Sequence, residues 1–270
     1  MSKRERRKKI KSLSSSIFSM LVYSYIYIPV VILIIFSFNN QKANTNWVGF
    51  TTEWYVKLFH DSELLSIFGN TLIIAVISTI LAVIIGTIGA VGLTRFNFKG
   101  KSVINNALYV PIVIPEIVLA VALLSIFSAI SFPLGILTLI LGHTTLTVPF
   151  VIITIKSRLS GFDQSVEEAS MDLGANRRTT FLKVTLPMIM PGVMSGGFLA
   201  FTLSLDDLII SNFIAGTRCM TFPVKVYSMV KSGVSPEVNA LTTIIIGLFL
   251  LGLLLSFYYF NLLLRIREIK

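Results

Sequence analysis

Residues 70–94 read NTLIIAVISTILAVIIGTIGAVGLT, a run of 25 residues that contains no charged side chain. A helix that crosses the hydrocarbon core of a membrane needs about 20 predominantly apolar residues, so this run is long enough to span a bilayer. The whole chain has a similar character, because 54% of its 270 residues are hydrophobic, 13% are charged and the mean hydropathy is +0.83. A soluble domain carries about 25% charged residues. The composition therefore excludes a water-soluble globule and a disordered chain, and it predicts a polytopic membrane protein.

Five further stretches are apolar and long enough to cross a bilayer, and all six are interpreted as transmembrane α-helices. The predicted spans cover residues 17–38, 70–94, 107–130, 134–155, 188–215 and 240–264. The first span is too long for the apolar core of a signal peptide and no convincing cleavage site follows it, so it is predicted to be retained. The sequence predicts an all-α integral membrane protein with a basic tail at residues 1–16 and a single transmembrane domain at residues 17–270.

Lysine and arginine are distributed unevenly between the two sides of these spans. With the N-terminus inside, the inner segments hold 18 of the 23 basic side chains and the outer segments hold 5. Because cytoplasmic loops carry the excess of Lys and Arg, both termini are predicted to be cytoplasmic. The net charge of +10 would suggest nucleic acid as the partner of a soluble protein. Here the basic tail is interpreted as a topology determinant that lies against anionic lipid, and no nucleic-acid partner is predicted.

The sequence contains no constellation that predicts an enzyme or a metal site. Cys219 is the only cysteine, which excludes an intrachain disulfide and a cysteine metal cluster. The two histidines, His60 and His143, lie in different regions, and His143 is interpreted as a helix-packing residue of the fourth span. The stretch at residues 100–102 is the nearest approach to a phosphate-binding loop, but Arg95 stands where that motif needs another glycine. No cofactor is therefore expected to bind this chain.

The predicted cytoplasmic loop at residues 156–187 carries the most recognisable local pattern. From residue 164 to residue 187 it reads QSVEEASMDLGANRRTTFLKVTLP. Ser165 with Glu168 three residues later predicts a capping box that starts a helix, and Gly174 predicts its end. A second short helix is predicted at residues 177–184, stopping before Pro187. The loop is therefore predicted to form a helix–turn–helix on the cytoplasmic face, between the fourth and fifth spans.

This loop resembles the EAA loop of ABC-type import permeases. The resemblance rests on Glu168-Ala169-Ser170, Gly174 and Leu186-Pro187 at the family's spacing, although the family usually has alanine at the position of Ser170. It implies a type I ABC importer permease fold and a coupling helix that docks on a separate ATPase subunit, which would bind ATP and Mg. The residues that it implies for ATPase coupling are Glu168, Ala169, Gly174, Leu186 and Pro187. A capping role alone would also account for Glu168.

Three of the 13 acidic residues, Glu116, Asp206 and Asp207, fall within the predicted spans. A charge at mid-membrane costs about 2.5–3.5 kcal/mol on insertion scales, so such residues usually face a cavity and serve a function. No Lys or Arg is predicted to be buried with these three carboxylates, which indicates a pathway for a cation. The alternative is that they hydrogen-bond to Ser and Thr of neighbouring helices and only stabilise the bundle.

The local sequence suggests how these carboxylates are presented. Two prolines, Pro111 and Pro115, precede Glu116 and predict a broken helix that opens backbone carbonyls toward a cavity. Asp206 and Asp207 are adjacent, so they point about 100° apart on a helix and cannot face one spot equally. Asp207 shares a polar face with serines at residues 204 and 211, which favours Asp207 over Asp206 as the residue that faces the pore.

Patches in every region resemble one branch of the permease family, the second permease of bacterial spermidine/putrescine import systems. They include YIYIPVVILIIFSFN at residues 25–39, NWVGFTTEWY at 46–55, FTLSLDDLIISNF at 201–213 and PVKVYSMVKSGVSPEVNALTTI at 223–244. The resemblance implies polyamine import through the cytoplasmic membrane of a bacterium. The implied partners are a second homologous permease, an ATPase pair and an extracytoplasmic polyamine-binding protein. Trp47, Trp54 and Tyr55 are then candidate cation–π partners of the amines, or else interfacial anchors.

Several alternatives stay open at this point. The sequence does not decide between putrescine and spermidine, or whether the binding protein is free, lipid-anchored or fused. The same architecture could carry another small cation or a metal complex. An ion-coupled secondary carrier would need no EAA loop and usually has more spans arranged as repeats. A membrane-embedded enzyme is disfavoured because the catalytic constellation is missing.

Overall fold

A computed structural model describes residues 3–41, 46–161, 163–217, 219–229 and 235–268. These residues are overwhelmingly helical and form no β-strand, which confirms the predicted all-α class. In chain order the helices are α1 Lys3–Phe36, α2 Glu53–His60, α3 Ser62–Arg95, α4 Lys101–Ala107, α5 Val110–Val113, α6 Glu116–Ala129, α7 Ile136–Ser160, α8 Ser165–Asp172, α9 Arg177–Thr180, α10 Leu186–Leu205, α11 Ile209–Ile214, α12 Phe222–Met229 and α13 Pro236–Glu268. A π-helical turn, Phe181–Thr185, joins α9 to α10.

Four helical segments within the described residues are long and apolar enough to cross a membrane, namely Ser15–Phe36, Ser62–Arg95, Ile136–Ser160 and Arg177–Leu205. The pair Lys101–Val113 and Glu116–Ala129 makes a fifth candidate if its two halves, bent by 109°, count as one span. A shorter apolar helix, Pro236–Gly252, overlaps the predicted sixth span. The structure therefore accounts for four or five spans, and the six spans remain a prediction.

The break between α5 and α6 follows from the prolines that precede Glu116. Pro115 disfavours the helical conformation of the residue before it, and Ile114 is accordingly extended, with φ −71° and ψ 145°. Helix α6 then restarts at Glu116. The predicted break is confirmed, and it places a carboxylate in the first turn of a new helix.

The predicted fifth span, residues 188–215, is not one continuous helix. Helix α10 ends at Leu205, and α11 begins only at Ile209. The side chain of Asp207 accepts hydrogen bonds from the backbone N–H groups of Ile210 at 3.2 Å and Ser211 at 2.8 Å. An aspartate that bonds forward in this way caps a new helix and competes with continuation of the old one.

The segment between α7 and α10 forms the predicted helix–turn–helix, with two differences. Helix α8 starts at Ser165, but Asp163 Oδ1 accepts the Ser165 backbone N–H at 3.0 Å, so the predicted capping box with Glu168 is wrong. This hydrogen bond holds the pKa of the exposed Asp163 carboxyl below its usual value. Gly174 has φ +89°, in the left-handed region that glycine adopts at a helix end, as predicted.

The second short helix does not stop before Pro187. Helix α9 is capped by Asn176, whose Oδ1 accepts the Thr179 N–H at 2.8 Å, and it continues through the π-helical turn into α10. Pro187 lies in the first turn of α10, where its missing N–H costs little. Helix α9, the π-helical turn and α10 therefore form one continuous helical segment, Arg177–Leu205.

The chain separates into two compact units. The first comprises residues 1–62 and 228–270, and within it α1 and α2 pack against α13. The second comprises residues 63–227 and is organised around α7, which packs against α10, α11 and α6. Two apolar clusters fill its core, one around Leu139 and Ile210 and the other around Val151 and Ile189. Close packing requires Gly86, where an added Cβ would lie 2.5 Å from a methyl group of Val151.

Candidate functional site

The three carboxylates predicted in the spans come together where two helices are interrupted. Glu116 is the first residue of α6, Asp206 caps the C-terminus of α10, and Asp207 lies two residues before α11. Helix α11 packs against α6, which brings the carboxyl groups of Glu116 and Asp207 close enough to interact electrostatically. We refer to Glu116, Asp206 and Asp207 as the carboxylate site.

Helix ends add to the electrostatics of the carboxylate site. The C-terminus of α10 presents backbone carbonyl oxygens and the negative end of a helix dipole beside Asp206. The N-terminus of α6 places the positive end of a helix dipole beside Glu116. In secondary transporters, the backbone carbonyls and C-terminal ends of interrupted helices coordinate cations near the bilayer midplane.

Asp207 is buried, with 5% of its surface exposed, and is held by several donors. Its Oδ2 accepts the hydroxyl and the backbone N–H of Ser211, each at 2.8 Å. The same oxygen lies 3.1 Å from Nε2 of His143, a residue that is only 1% exposed. Asp207 therefore fixes the start of α11 and ties it to α7.

His143 bridges the two helices on either side of the break. Its Nδ1 hydrogen-bonds to Ser204 Oγ at 2.7 Å, its Nε2 lies 3.1 Å from Ser211 Oγ, and Ser204 Oγ in turn lies 3.0 Å from Ser78 Oγ. This environment agrees with the interpretation of His143 as a helix-packing residue. The sequence did not reveal that His143 is the neighbour of Asp207, although the polar stripe of Ser204 and Ser211 was visible.

Asp206 and Glu116 have more open environments than Asp207. Asp206 is exposed and Glu116 is partly exposed in this chain. The polar stripe that favoured Asp207 as the pore-facing residue lies against His143. The accessible carboxylates of the site are therefore those of Asp206 and Glu116.

The three aromatic candidates belong to the first compact unit and differ in their surroundings. Trp54 is buried, its Nε1 donates to the backbone carbonyl of Asn39 at 2.7 Å, and Lys57 Nζ lies 4.6 Å from the ring centroid. The hydroxyl of Tyr55 shares a hydrogen bond of 2.7 Å with a serine just after α1. Trp47 is 50% exposed. Trp54 and Tyr55 thus help to fold the segment after α1, and Trp47 presents the most accessible ring.

The predicted coupling residues are divided between two places, α8 with the turn that follows it and the start of α10. Glu168, Ala169 and Gly174 are exposed, and Leu173 at the end of α8 has 90% of its surface exposed. Leu186 is half-buried and Pro187 is exposed at the start of α10. Beneath α8 lies a cavity of about 410 Å³, whose lining includes residues of α3, α8, α9 and the π-helical turn.

A family model and two similar proteins of Escherichia coli all describe membrane components of transport systems. Residues 82–268 match the family model described as "Binding-protein-dependent transport system inner membrane component". The chain is 44% identical over 239 residues to the spermidine/putrescine transport system permease protein PotC of Escherichia coli K12, covering 88% of this chain and 90% of that one. It is 43% identical over 235 residues to the putrescine transport system permease protein PotI of the same organism, covering 84% of each.

Solved structures share the fold. A bacterial ABC transporter involved in the import of the acidic polysaccharide alginate contains a chain that superposes with a TM-score of 0.74, covering 96% of this chain and 98% of that one at 16% identity. The MetNI methionine ABC transporter contains a chain that superposes with a TM-score of 0.57, covering 75% and 94% at 19% identity. At these identities the likeness concerns the fold alone. With the family match over most of its length, this chain belongs to the binding-protein-dependent inner membrane components, the permease subunits of ABC importers.

Proposed function

We propose that the chain is a pore-forming permease subunit of an ATP-driven importer that moves polyamines, spermidine or putrescine, across the cytoplasmic membrane of a bacterium. The observation that carries this proposal is the convergence of Glu116, Asp206 and Asp207 at two helix breaks. The names of PotC and PotI, at 44% and 43% identity, support the same class of substrate.

The chemistry of polyamines suits the carboxylate site. These substrates are flexible chains with several ammonium groups, each of which forms a short charge-assisted hydrogen bond with a carboxylate. Asp206 and Glu116 offer accessible oxygens, and the carbonyl end of α10 adds further acceptors. The exposed ring of Trp47 is a candidate cation–π partner for an ammonium group elsewhere along the route.

The proposed topology has six spans with both termini in the cytoplasm. It is supported by the apolar helices of the second to fifth predicted spans, by the helix Ser15–Phe36 and by the apolar stretch Pro236–Gly252. The excess of Lys and Arg in the inner segments supports the orientation. In this arrangement α8 and α9 face the cytoplasm.

The proposed complex contains a second homologous permease, an ATPase dimer and an extracytoplasmic polyamine-binding protein, embedded in membrane lipid. ATP and Mg would be bound by the ATPase and not by this chain. The exposed Leu173 at the end of α8 is the kind of apolar side chain that a partner protein covers, and the exposed Glu168 adds a charge for pairing. Closure of the ATPase dimer would move α8 and so alternate the pore between outward-facing and inward-facing states.

Reconstitution of the purified complex into vesicles tests this proposal. We expect uptake of radiolabelled spermidine or putrescine only when the binding protein and ATP are both supplied. Uptake of a thiamine-like cation or a metal complex instead of polyamine would identify the other substrate class. Uptake that follows an imposed ion gradient in the absence of ATP would identify a secondary carrier and contradict the proposal.

A further inference from the structure

A single carboxylate ties the coupling helix α8 to two membrane helices. The Oε2 atom of Glu167 lies 3.1 Å from Nε of Arg95, and its Oε1 accepts the hydroxyl of Thr185 at 2.7 Å. The pair is largely protected from water, since the side chains of Arg95 and Glu167 are 12% and 15% exposed. Thr185 is buried.

The three residues lie at the ends of three different elements. Arg95 is the last residue of α3, Glu167 lies in the first turn of α8, and Thr185 ends the π-helical turn that leads into α10. Glu168, the acid of the EAA pattern, is exposed on α8. The two neighbouring glutamates therefore face different ways, with Glu168 outward and Glu167 toward the membrane helices.

The surroundings of Glu167 suit the transmission of movement. A π-helical turn is rare and occurs frequently at functional sites, and here it stands between α9 and α10. The ion pair with Arg95 and the short hydrogen bond from Thr185 leave Glu167 little freedom to move without moving both partners. The cavity beneath α8 is lined by Arg95, Glu167 and Thr185 together with Phe96 and Phe181, which leaves space for the segment to shift.

We propose that Glu167 is a positioning residue that transmits displacement of α8 to α3 and α10 together, so that each ATP hydrolysed yields substrate movement. This inference rests on the proposed function, because it assigns the mechanical link within the same importer. If the contacts of Glu167 with Arg95 and Thr185 are lost, the ATPase should still hydrolyse ATP, but α3 and α10 should no longer move together with α8.

The test measures spermidine imported per ATP hydrolysed by the reconstituted complex. For Glu167→Gln we expect about a tenfold lower ratio, since the charge that holds Arg95 is lost. For Thr185→Val, which keeps the side-chain shape and the ion pair, we expect about a threefold lower ratio. Exchange of the pair, Arg95→Glu with Glu167→Arg, should recover part of the ratio lost in either single variant.

Glu63→Gln is the matched control. Glu63 pairs with Lys225 at 2.6 Å, but its side chain is 71% exposed, so loss of that pair should leave the ratio unchanged. An unchanged ratio in assembled Glu167→Gln complexes, or equal losses of uptake and ATP hydrolysis, would overturn the inference. If Glu167→Gln fails to assemble, an unchanged ratio for Thr185→Val overturns it. Wild-type complexes that import no polyamine would instead refute the proposed function.

Discussion

Asp206 and Asp207 are adjacent in the sequence, yet their side chains have opposite environments. Asp206 is exposed at the end of α10, whereas Asp207 is buried and accepts hydrogen bonds from the start of α11. The difference arises because the helix stops between residues 205 and 209, so the two residues no longer follow helical geometry. The carboxylate site therefore combines Asp207, which holds the start of α11, with the accessible carboxylates of Asp206 and Glu116.

Amide substitutions distinguish carboxylates that contact the substrate from carboxylates that only hold helices together. Glu116→Gln, Asp206→Asn and Asp207→Asn should each lower polyamine uptake, and at least one should lose most of it. A lost charge-assisted pair costs about 1.5–3 kcal/mol, or about ten- to a hundred-fold in rate when it is felt at the transport barrier. If the acids served only helix packing, the amides would be tolerated, because Asn and Gln also bond across membrane helices.

Thermal unfolding in detergent distinguishes Asp207 from Asp206 in the same set of variants. Asp207→Asn should lower the melting temperature, since it disturbs buried bonds to Ser211 and His143. Asp206→Asn should leave the melting temperature near that of the wild type, and Asp206→Glu should retain most uptake. Wild-type uptake in all three amide variants, or equal loss of complex assembly in all three, would refute the cation pathway.

His143 should contribute to stability through its buried partners. His143→Leu removes the hydrogen bonds to Ser204 and Ser211 and also the imidazole beside the buried Asp207 carboxylate. Each lost hydrogen bond costs about 0.5–1.5 kcal/mol, so the unfolding temperature should fall clearly. Thr145→Val on the same helix is the matched control, because Thr145 is exposed and bonds only back to Leu141 at 2.8 Å in the described contacts. Equal melting temperatures for both variants would contradict this role.

Gly174 forms the left-handed turn at which helix α8 ends. Its φ of +89° suits glycine, and no atom lies within 4 Å of an added Cβ, so a larger side chain is opposed by backbone strain alone. That strain is about 1–2 kcal/mol for a residue with a side chain, enough to move the turn but too little to unfold the protein. The turn itself follows directly from the sequence pattern.

Gly174→Leu or Gly174→Pro should uncouple transport from ATP hydrolysis while the protein still inserts. The change displaces the exposed end of α8, which carries Leu173. The measurement is the stimulation of ATPase activity by the loaded binding protein in reconstituted vesicles, with insertion checked alongside. Undiminished stimulation together with normal uptake would exclude a docking role for this turn.

Features of the helices that depend on local sequence were predicted, whereas those that depend on single side-chain bonds or tertiary packing were not. The apolar runs, the proline break before Glu116 and the left-handed turn at Gly174 follow from local rules, and all three are confirmed. The break at Asp206 was missed because apolar character continues through residues 188–215 while one aspartate redirects the backbone. The bond between Glu167 and Arg95 was also missed, since residues far apart in sequence meet only through tertiary packing.

The orientation of the whole molecule remains a prediction that chemical labelling can test. In a Cys219→Ser background, cysteines engineered at Phe59 and Tyr227 should react with an impermeant maleimide from outside, because both positions are well exposed. Cysteines at Lys99 and Arg177 should react only after permeabilisation. Labelling of the Arg177→Cys protein in intact cells would invert the orientation and remove the coupling assignment with it.

The native thiol offers a second measurement on the same protein. Cys219 is 6% exposed, and burial raises the pKa of its thiol. The thiolate is the reactive form, so a raised pKa leaves less of it at neutral pH. Maleimide labelling of the wild type should therefore be slow at pH 7 and should rise with pH. Labelling as fast as that of an exposed engineered cysteine would contradict the buried position.

The role of the carboxylate site in transport is tested most directly by ATP-driven spermidine uptake in vesicles that carry Glu116→Gln together with Asp206→Asn. Both accessible carboxylates of the site are then neutral, while Asp207 and its bonds to α11 are intact. At equal complex assembly we expect uptake to fall by more than about tenfold. Spermidine uptake at the wild-type rate by the fully assembled double variant would contradict the assignment of this site to the substrate pathway.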